Sequence, residues 1–336
     1  QKIFKGKNIS GFEDRFYHNL CLSVKKRNIC DVKTQLALSG GYDSNLILNL
    51  IKLDLNIKNF DKSISIGFDK KNDETLISQK VSNFLKAKIL LIKKNKFNLK
   101  NLETIIKYYD APLEHPSSIG LDVITKEARK TDKVLITGEG ADDLLFGYDH
   151  YKNKNTGSFA FRHFLKNNVL QQLLLEKKNL KILKRIKSKH KINFYRKKAL
   201  KSKFFSRELE VKTHMQTLLK RNDRISMKNS VEIRCPFLDI NIIKLIPSYK
   251  FFNKKKFLKK FINPKILRLI NKGKKIGFYI PLSPLYNSNK KKFNFYLTIA
   301  NNYLLSKGLL VNKKLIKNDE IKWVMLNIGI FLHQNN

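Results

Sequence analysis

The chain has 336 residues, 42% hydrophobic and 11% aromatic, with 14 glycines and 7 prolines. That is enough to bury one large core or two modest ones, and it excludes wholesale disorder, collagen-like repeats and a Pro-rich chain. Its 69 basic and 27 acidic residues leave a formal charge of +42, yet 11 are arginines and 58 lysines, spread from Lys2 to Lys322. Surfaces that read phosphates favour the arginine fork and cluster their charge. The lysine excess therefore reads as compositional bias, predicting unspecific, salt-sensitive polyanion binding and no specific nucleic-acid partner.

Cys21, Cys30 and Cys235 are odd in number and share no metal or C-x-x-C spacing, so no disulfide framework is expected and a reducing compartment is the default. No apolar run approaches the about 20 residues that span a bilayer. A cytoplasmic protein without a membrane partner is expected.

In chain order, Thr34 to Leu38 (TQLAL) is a β-prone run ending in Ser39-Gly40-Gly41. From Ser44 the pattern turns helical, with Leu46, Ile47, Leu50 and Ile51 on one face. Lys62 to Phe68 reads as a second strand. Asp73-Glu74 opens a helix, its acids where the dipole favours them, with Leu76, Ile77, Val81, Phe84 and Leu85 as its apolar stripe. Lys88 to Ile92 is a third strand. Helices are predicted around Leu102 to Tyr108 and over Ser117 to Arg129, then a fourth strand, Lys133 to Ile136. This alternation implies a parallel sheet covered on both faces, with ligands beyond the carboxyl ends of its strands. Farther on, Leu165 to Leu183, Phe205 to Leu219 and Phe237 to Leu245 read as lysine-rich helices. The basic run Lys184 to Lys203 reads as a solvated helix or linker rather than a polyanion strip.

Three segments carry chemistry. Ser39-Gly40-Gly41-Tyr42-Asp43-Ser44 lies between a strand and a helix. Adjacent glycines let backbone amides surround an anion, and the helix terminus adds partial positive charge. Asp43 would repel a bare phosphate, so its useful role is to hold a hydrated cation that phosphates also ligate. Thr137-Gly138-Glu139-Gly140-Ala141-Asp142-Asp143 follows the fourth strand and offers Asp142 as a second carboxylate. In Asp223-Arg224-Ile225-Ser226-Met227 and its continuation to Asp239, Met227, Phe237 and Leu238 read as core. Asp239 reads as a helix cap, and Glu232 with Arg234 as a buried ion pair shaping a pocket.

The S-G-G-x-D-S loop resembles the pyrophosphate loop of the ATP pyrophosphatase superfamily. The T-G-E-G-A-D-D-L-L-F-G-Y segment, the D-R-I-S-M…E-I-R-C-P-F-L-D segment and Lys275-Ile276-Gly277-Phe278-Tyr279-Ile280-Pro281 are similar, in that order, to segments of class B asparagine synthetases. The resemblance is to their synthetase domain. It implies an α/β fold with a five-stranded parallel sheet, helices on both faces (adenine nucleotide α-hydrolase-like), and a helical carboxyl-terminal part. Residues 1–20 would be a linker, the remnant after an amino-terminal glutaminase domain; 21–150 the nucleotide-binding core; and 151–336 a mainly helical part completing the acyl pocket.

The same resemblance implies residue roles. Leu38 and Ile66 would lie near adenine through backbone groups, and Thr137 and Gly138 near the ribose and α-phosphate. Ser39, Gly40, Gly41, Asp43 and Ser44 would hold pyrophosphate, and Asp43 and Asp142 magnesium. Glu139 and Lys275 would be catalytic, and Asp73, Glu74, Glu232 and Arg234 would shape the acid's pocket. The implied reaction adenylates a carboxylate with Mg-ATP and then joins ammonia or an amine to the acyl group. Aspartate is the leading acid. At Asp110 to Ser117, however, Ala111 and His115 stand where many relatives carry acids, which admits a sugar acid or a lactam-forming substrate. Small-molecule acid, ammonia or amine, and a glutaminase domain or subunit are the expected partners, and an oligomer is compatible. A tRNA-modifying pyrophosphatase or an inactive binding protein would be the readings from other classes.

Overall fold

A computed structural model of the chain describes residues 11–68, 74–93, 98–113, 115–145, 147, 214–246, 254–271, 282–307 and 319–336. Asp73, the helix expected over 165–183, the basic run 184–203 and the Lys275 segment lie outside them. The chain divides into two compact units. One comprises the described residues of Gln1–Lys94, Gly120–Tyr148 and Thr217–Tyr279, the other those of Asn95–Ile119, Asp149–Gln216 and Ile280–Asn336.

The first unit holds a five-stranded, all-parallel sheet in the order β3-β2-β1-β4-β5. Its strands are β1 (Thr34–Ala37), β2 (Phe60–Gly67), β3 (Lys88–Lys93), β4 (Val134–Ile136) and β5 (Glu232–Arg234). The first four fall where the sequence pattern puts them. Strand β5 was not legible, because three residues cannot show a period, but it pairs along the whole of β4. Central strands are buried on every residue from Ser63 to Gly67 and from Val134 to Ile136. Successive side chains point to opposite faces, so both faces are covered.

Side-chain partners identify what covers each face. Leu36 is in register with Ser63, and Gln35 with Lys62. Ser65, on the Ser63 face, donates to Ser78 of helix α3 (Thr75–Phe84) at 3.1 Å. On the other face, Gln35 donates to the Ala128 carbonyl (2.9 Å) at the end of α5 (Ser117–Ala128), and Lys62 to the Thr131 hydroxyl (2.8 Å). The buried face of α3 is Thr75, Ser78, Val81 and Ser82. The expected stripe is thus corrected: Leu76 and Phe84 are exposed, because small serines let the helix lie close to β2.

Helix α1 (Phe12–Arg27) starts inside the stretch expected as a linker, since Phe16 and Leu20 are fully buried. Helix α2 (Tyr42–Asn49) leads into a π-helical turn, Leu50–Asp54. Leu46, Ile47, Leu48, Leu50 and Ile51 are all 0% exposed. At about 1.5–3 kcal/mol each, these side chains anchor the helix that begins at the glycine loop. Between α5 and α7 come β4 and the short α6 (Ala141–Leu144).

Helix α7 spans His214–Lys228; it runs nine residues past its expected end at Leu219, and the start expected at Phe205 lies outside the described residues. Its buried face includes Asn222, Ser226 and Asn229 beside Ile225, so polar residues masked the period. Met227, expected as core, is exposed, whereas Phe237 is buried as expected. Asp239 caps α8 (Ile240–Leu245) by accepting from Asn241 N–H at 3.0 Å. Helices α9 (Lys254–Lys259) and α10 (Pro264–Asn271) complete the unit.

The described residues of the second unit include the helices α4 (Leu99–Tyr109), α11 (Ser283–Ser288), α12 (Lys290–Ser306) and α13 (Asp319–Asn335). Ala300, Leu304, Ile321 and Met325 form its buried core between α12 and α13. Trp323 donates its indole N–H to the Leu113 carbonyl (3.1 Å), which ties down the segment after α4. Among the described residues no helix is long and apolar enough to cross a membrane.

Candidate functional site

The chain runs outward from β1 through β2 to β3 and then returns to β4 on the other side of β1. Ligands of parallel sheets bind where the order reverses, beyond the strands' carboxyl ends. Ser39–Gly41 leaves β1 at that point, and Thr137–Gly140 leaves β4.

Their contact is close. A Cβ on Gly138 would lie 3.0 Å from the Ser44 amide nitrogen and 3.1 Å from the Asp43 Cβ. A larger residue would make the exit of β4 or the first turn of α2 give way by a few tenths of an ångström. Gly140 adopts φ +86°, and a Cβ there would overlap Leu238. This second glycine seats the loop against the 3-10 turn Pro236–Leu238 that follows β5. Three of the four sequence segments are thereby built into one place.

Within the loop, hydrogen bonds fix the backbone. The Ser39 amide donates to Ser44 Oγ (3.0 Å), Gly40 N–H to Glu74 Oε2 (2.8 Å) and Gly41 N–H to Ser39 Oγ (3.2 Å). Asn45 Nδ2 donates to the carbonyls of Ser39 (2.8 Å) and Gly41 (2.7 Å). The expectation that the loop's amides stand open around an anion therefore needs correction: all three donate within the protein. The Ser39 and Ser44 hydroxyls also meet each other at 3.1 Å, and helix α2 begins directly after the loop.

Leu38 and Ile66 are buried strand-end side chains, leaving backbone groups as their means of contact. The Leu38 amide donates to Ile64 O at 2.8 Å. Thr137 N–H donates to Arg234 O (3.0 Å), and its hydroxyl lies 3.4 Å from Cys235 Sγ. Burial pushes the Cys235 thiol up to about 11, so it stays a neutral neighbour. Asp142 is half-buried, and Asp143 beside it is the buried member of the pair.

Glu139 is held from above by α7. Arg221 Nη2 donates to Glu139 Oε1 at 2.8 Å, and Asn222 Nδ2 donates to Oε2. The sequence reading missed both residues. The available signal was a repeat: Arg221-Asn222 recurs seven residues later as Lys228-Asn229, about two turns along the same helical face. The second pair also clamps a carboxylate. Lys228 Nζ (2.7 Å) and Asn229 Nδ2 (3.0 Å) both donate to Asp122 Oδ1.

Glu232 and Arg234 do not join this group. They pair with each other (Nε to Oε1, 2.8 Å), but Glu232's side chain is 58% exposed, so the expected buried pair is corrected to an open one. Glu232 is in register with Val134 at the start of β4. The Arg234 guanidinium also bonds the carbonyls of Arg27 and Ile29, both at 3.0 Å, where α1 ends before β1. Glu74, by contrast, is buried against the glycine loop.

Among the described residues no three or more His, Cys, Asp or Glu side chains group as a metal site. Magnesium needs no such cage: it commonly takes one or two carboxylates and completes its shell with phosphate oxygens and water. Asp43 at the start of α2, and Asp142 four residues beyond the glycine that touches it, suit that mode.

The asparagine synthase family model matches residues 15–300. The chain is similar to asparagine synthetase 1 (glutamine-hydrolyzing) of Bacillus subtilis, with 26% identity over 77% of this chain and 48% of that protein. It is 29% identical to the glutamine-hydrolyzing asparagine synthetase of Rattus norvegicus over 45% of this chain and 28% of that protein. It is 28% identical to amidase chyE of Penicillium rubens over 39% of this chain and 22% of that protein. The chain thus spans about half the length of the Bacillus relative and less of the other two. With its matched stretch running through β1 to β5 and the loops they position, the chain belongs to the asparagine synthase family.

Proposed function

We propose that this chain carries the synthetase step of an ATP-dependent amide-forming ligase. A carboxylate, with aspartate the leading case, attacks the α-phosphorus of ATP. The bond to pyrophosphate breaks, and pyrophosphate leaves with its electron pair. Ammonia or an amine then attacks the acyl carbonyl, loses a proton and expels AMP. The observation that carries this reading is the seating of Gly138 against Asp43 and Ser44, which joins the two motif loops at one sheet crevice.

In this reading the Ser39 and Ser44 hydroxyls and the first turn of α2 bind the departing phosphates, and Thr137 and Gly138 flank the α-phosphate. Glu139, aimed by Arg221 and Asn222, faces the acyl centre as a carboxylate, and Lys275 neutralises charge on the reacting oxygens. Asp43 and Asp142 would hold magnesium, which shields phosphate charge when bound. The chain contributes positioning and charge placement.

Ammonia comes free or from a glutaminase domain or subunit, since the Bacillus and rat relatives are named as glutamine-hydrolyzing. Ala111 and His115 favour a second reading, the same chemistry on another acid.

Pyrophosphate release by the full chain with Mg-ATP, ammonium and candidate acids tests the proposal. Release that depends on aspartate is expected. Release only with a sugar acid or peptide acid selects the second reading, and none with any acid rejects both. The Asp43→Asn chain should fold normally and lose ATP–pyrophosphate exchange; retained exchange contradicts a role for Asp43 at the metal.

A further inference from the structure

Three neighbouring amides of the glycine loop are satisfied from within, and two of their acceptors are hydroxyls of the loop's own serines. The third acceptor differs in kind. Gly40 N–H points at a carboxylate, Glu74 Oε2, brought by the residue that precedes α3. A negative side chain beside a crevice read as binding phosphates opposes its ligand unless it does something else.

Packing indicates what that is. Glu74 is buried, and a Cβ on Gly40 would lie 3.3 Å from the Glu74 Cβ, 3.4 Å from its carboxyl carbon and 3.1 Å from Ile77 Cδ1. The carboxylate is thus wedged beside Gly40 by the start of α3 rather than draped over the site. Ser78, one turn on, is fixed to the same corner through Ser65 and the Glu74 carbonyl. An acceptor oxygen packed this tightly fixes the direction of the Gly40 amide.

We propose that Glu74 is a positioning residue of the loop, rather than a contact to the acid substrate. It takes up the Gly40 amide and so presets the turn that presents the Ser39 and Ser44 hydroxyls and the first turn of α2 to the triphosphate. This rests on the nucleotide reading given above. It assigns the loop's shape to a side chain from the next strand–helix connection.

The test compares Glu74→Ala and Glu74→Gln in the full chain. Glutamine keeps an acceptor oxygen for Gly40 and discards the charge. Hydrogen exchange over residues 38–42, measured without nucleotide, should quicken at least tenfold in Glu74→Ala and stay within threefold of the parent in Glu74→Gln. Mg-ATP affinity by calorimetry should follow: about tenfold weaker for alanine, within threefold for glutamine, with both variants retaining a cooperative thermal transition. Unchanged exchange in Glu74→Ala overturns the proposal. So does a glutamine variant as weak as the alanine one, or tighter Mg-ATP binding in either, which would make the carboxylate a competitor for the amide. A parent chain that binds no Mg-ATP removes the nucleotide reading and this role together. A parent that binds, with unaltered variants, removes this role alone.

Discussion

Helix α7 and the residue after it carry two carboxylate clamps, each a basic residue followed by asparagine, and they differ in their exposure to water. At one, Lys228 and Asn229 grip Asp122, whose side chain is 3% exposed against 6% for Lys228. At the other, Arg221 and Asn222 grip Glu139, whose side chain is 30% exposed. The dry clamp ties α7 to α5, and its members have their bonds filled: Lys126 and Thr125 complete the network around Asp122 and Asn229. The open clamp holds the carboxylate of a residue just beyond the end of β4 and leaves it partly open to water. A basic residue followed by asparagine gives a filled, buried network in one place and a partly solvated carboxylate in the other.

Breaking the dry clamp should have the largest effect on stability. Lys228→Met leaves the buried Asp122 with one of its two cations, Lys126 and Lys228 each lying at 2.7 Å, and should cost about 3 kcal/mol in denaturant unfolding, with Mg-ATP affinity unchanged. The acid's titration sharpens this. Burial alone would raise the Asp122 pKa, but bonds from Lys126, Lys228 and Asn229 outweigh it and hold the group below its usual range. A carboxylate depressed in the folded state adds stability above its unfolded pKa of about 4 and loses it as pH falls through the folded value. The parent's advantage over Asp122→Asn should therefore be full at neutral pH and narrow steadily below about pH 4.

Breaking the open clamp should instead separate function from folding. Arg221→Met should cost about 1 kcal/mol or less of stability, because its partner is partly solvated. Pyrophosphate release should drop about a hundredfold, the scale of misplacing a reacting group by about 1 Å, with Mg-ATP binding within threefold. An equal fall in binding would mean that the guanidinium serves the nucleotide instead. A smaller effect is expected at the residue that precedes Glu139. Gly138→Ala sets a Cβ against the Ser44 amide, backbone against backbone, so the β4 exit must withdraw. Mg-ATP should bind about tenfold more weakly, while unfolding shifts by only about 1 kcal/mol.

The contrast also explains what the sequence revealed. Strands β1 to β4 were legible because continuous apolar runs between turn residues mark buried parallel strands. The glycine loop and the Thr137–Asp143 loop were legible because glycines and acids in a fixed order after a strand are uncommon. The clamps were not, since a basic residue followed by asparagine is common in a chain with 58 lysines. Only the fold shows that the side chains of Arg221 and Lys228 lie largely buried beside acids. Helix α3 misled for a related reason: its sheet-facing side is serine, and its exposed side offered Leu76 and Phe84 to any count of apolar spacing.

The smallest effect is expected at a residue that the sequence pattern placed in the acid's pocket. Glu232 sits at the amino end of β5, opposite the start of β4, while the crevice opens at the carboxyl ends. Its partner Arg234 would lose one ion pair in Glu232→Gln and keep the carbonyls of Arg27 and Ile29. An ion pair this exposed contributes little, so stability should change by less than about 0.5 kcal/mol. Pyrophosphate release and its dependence on acid concentration should match the parent. A KM for the acid raised tenfold or more, with Mg-ATP binding intact, would return Glu232 to the substrate pocket and require the acid to reach the opposite edge of the sheet.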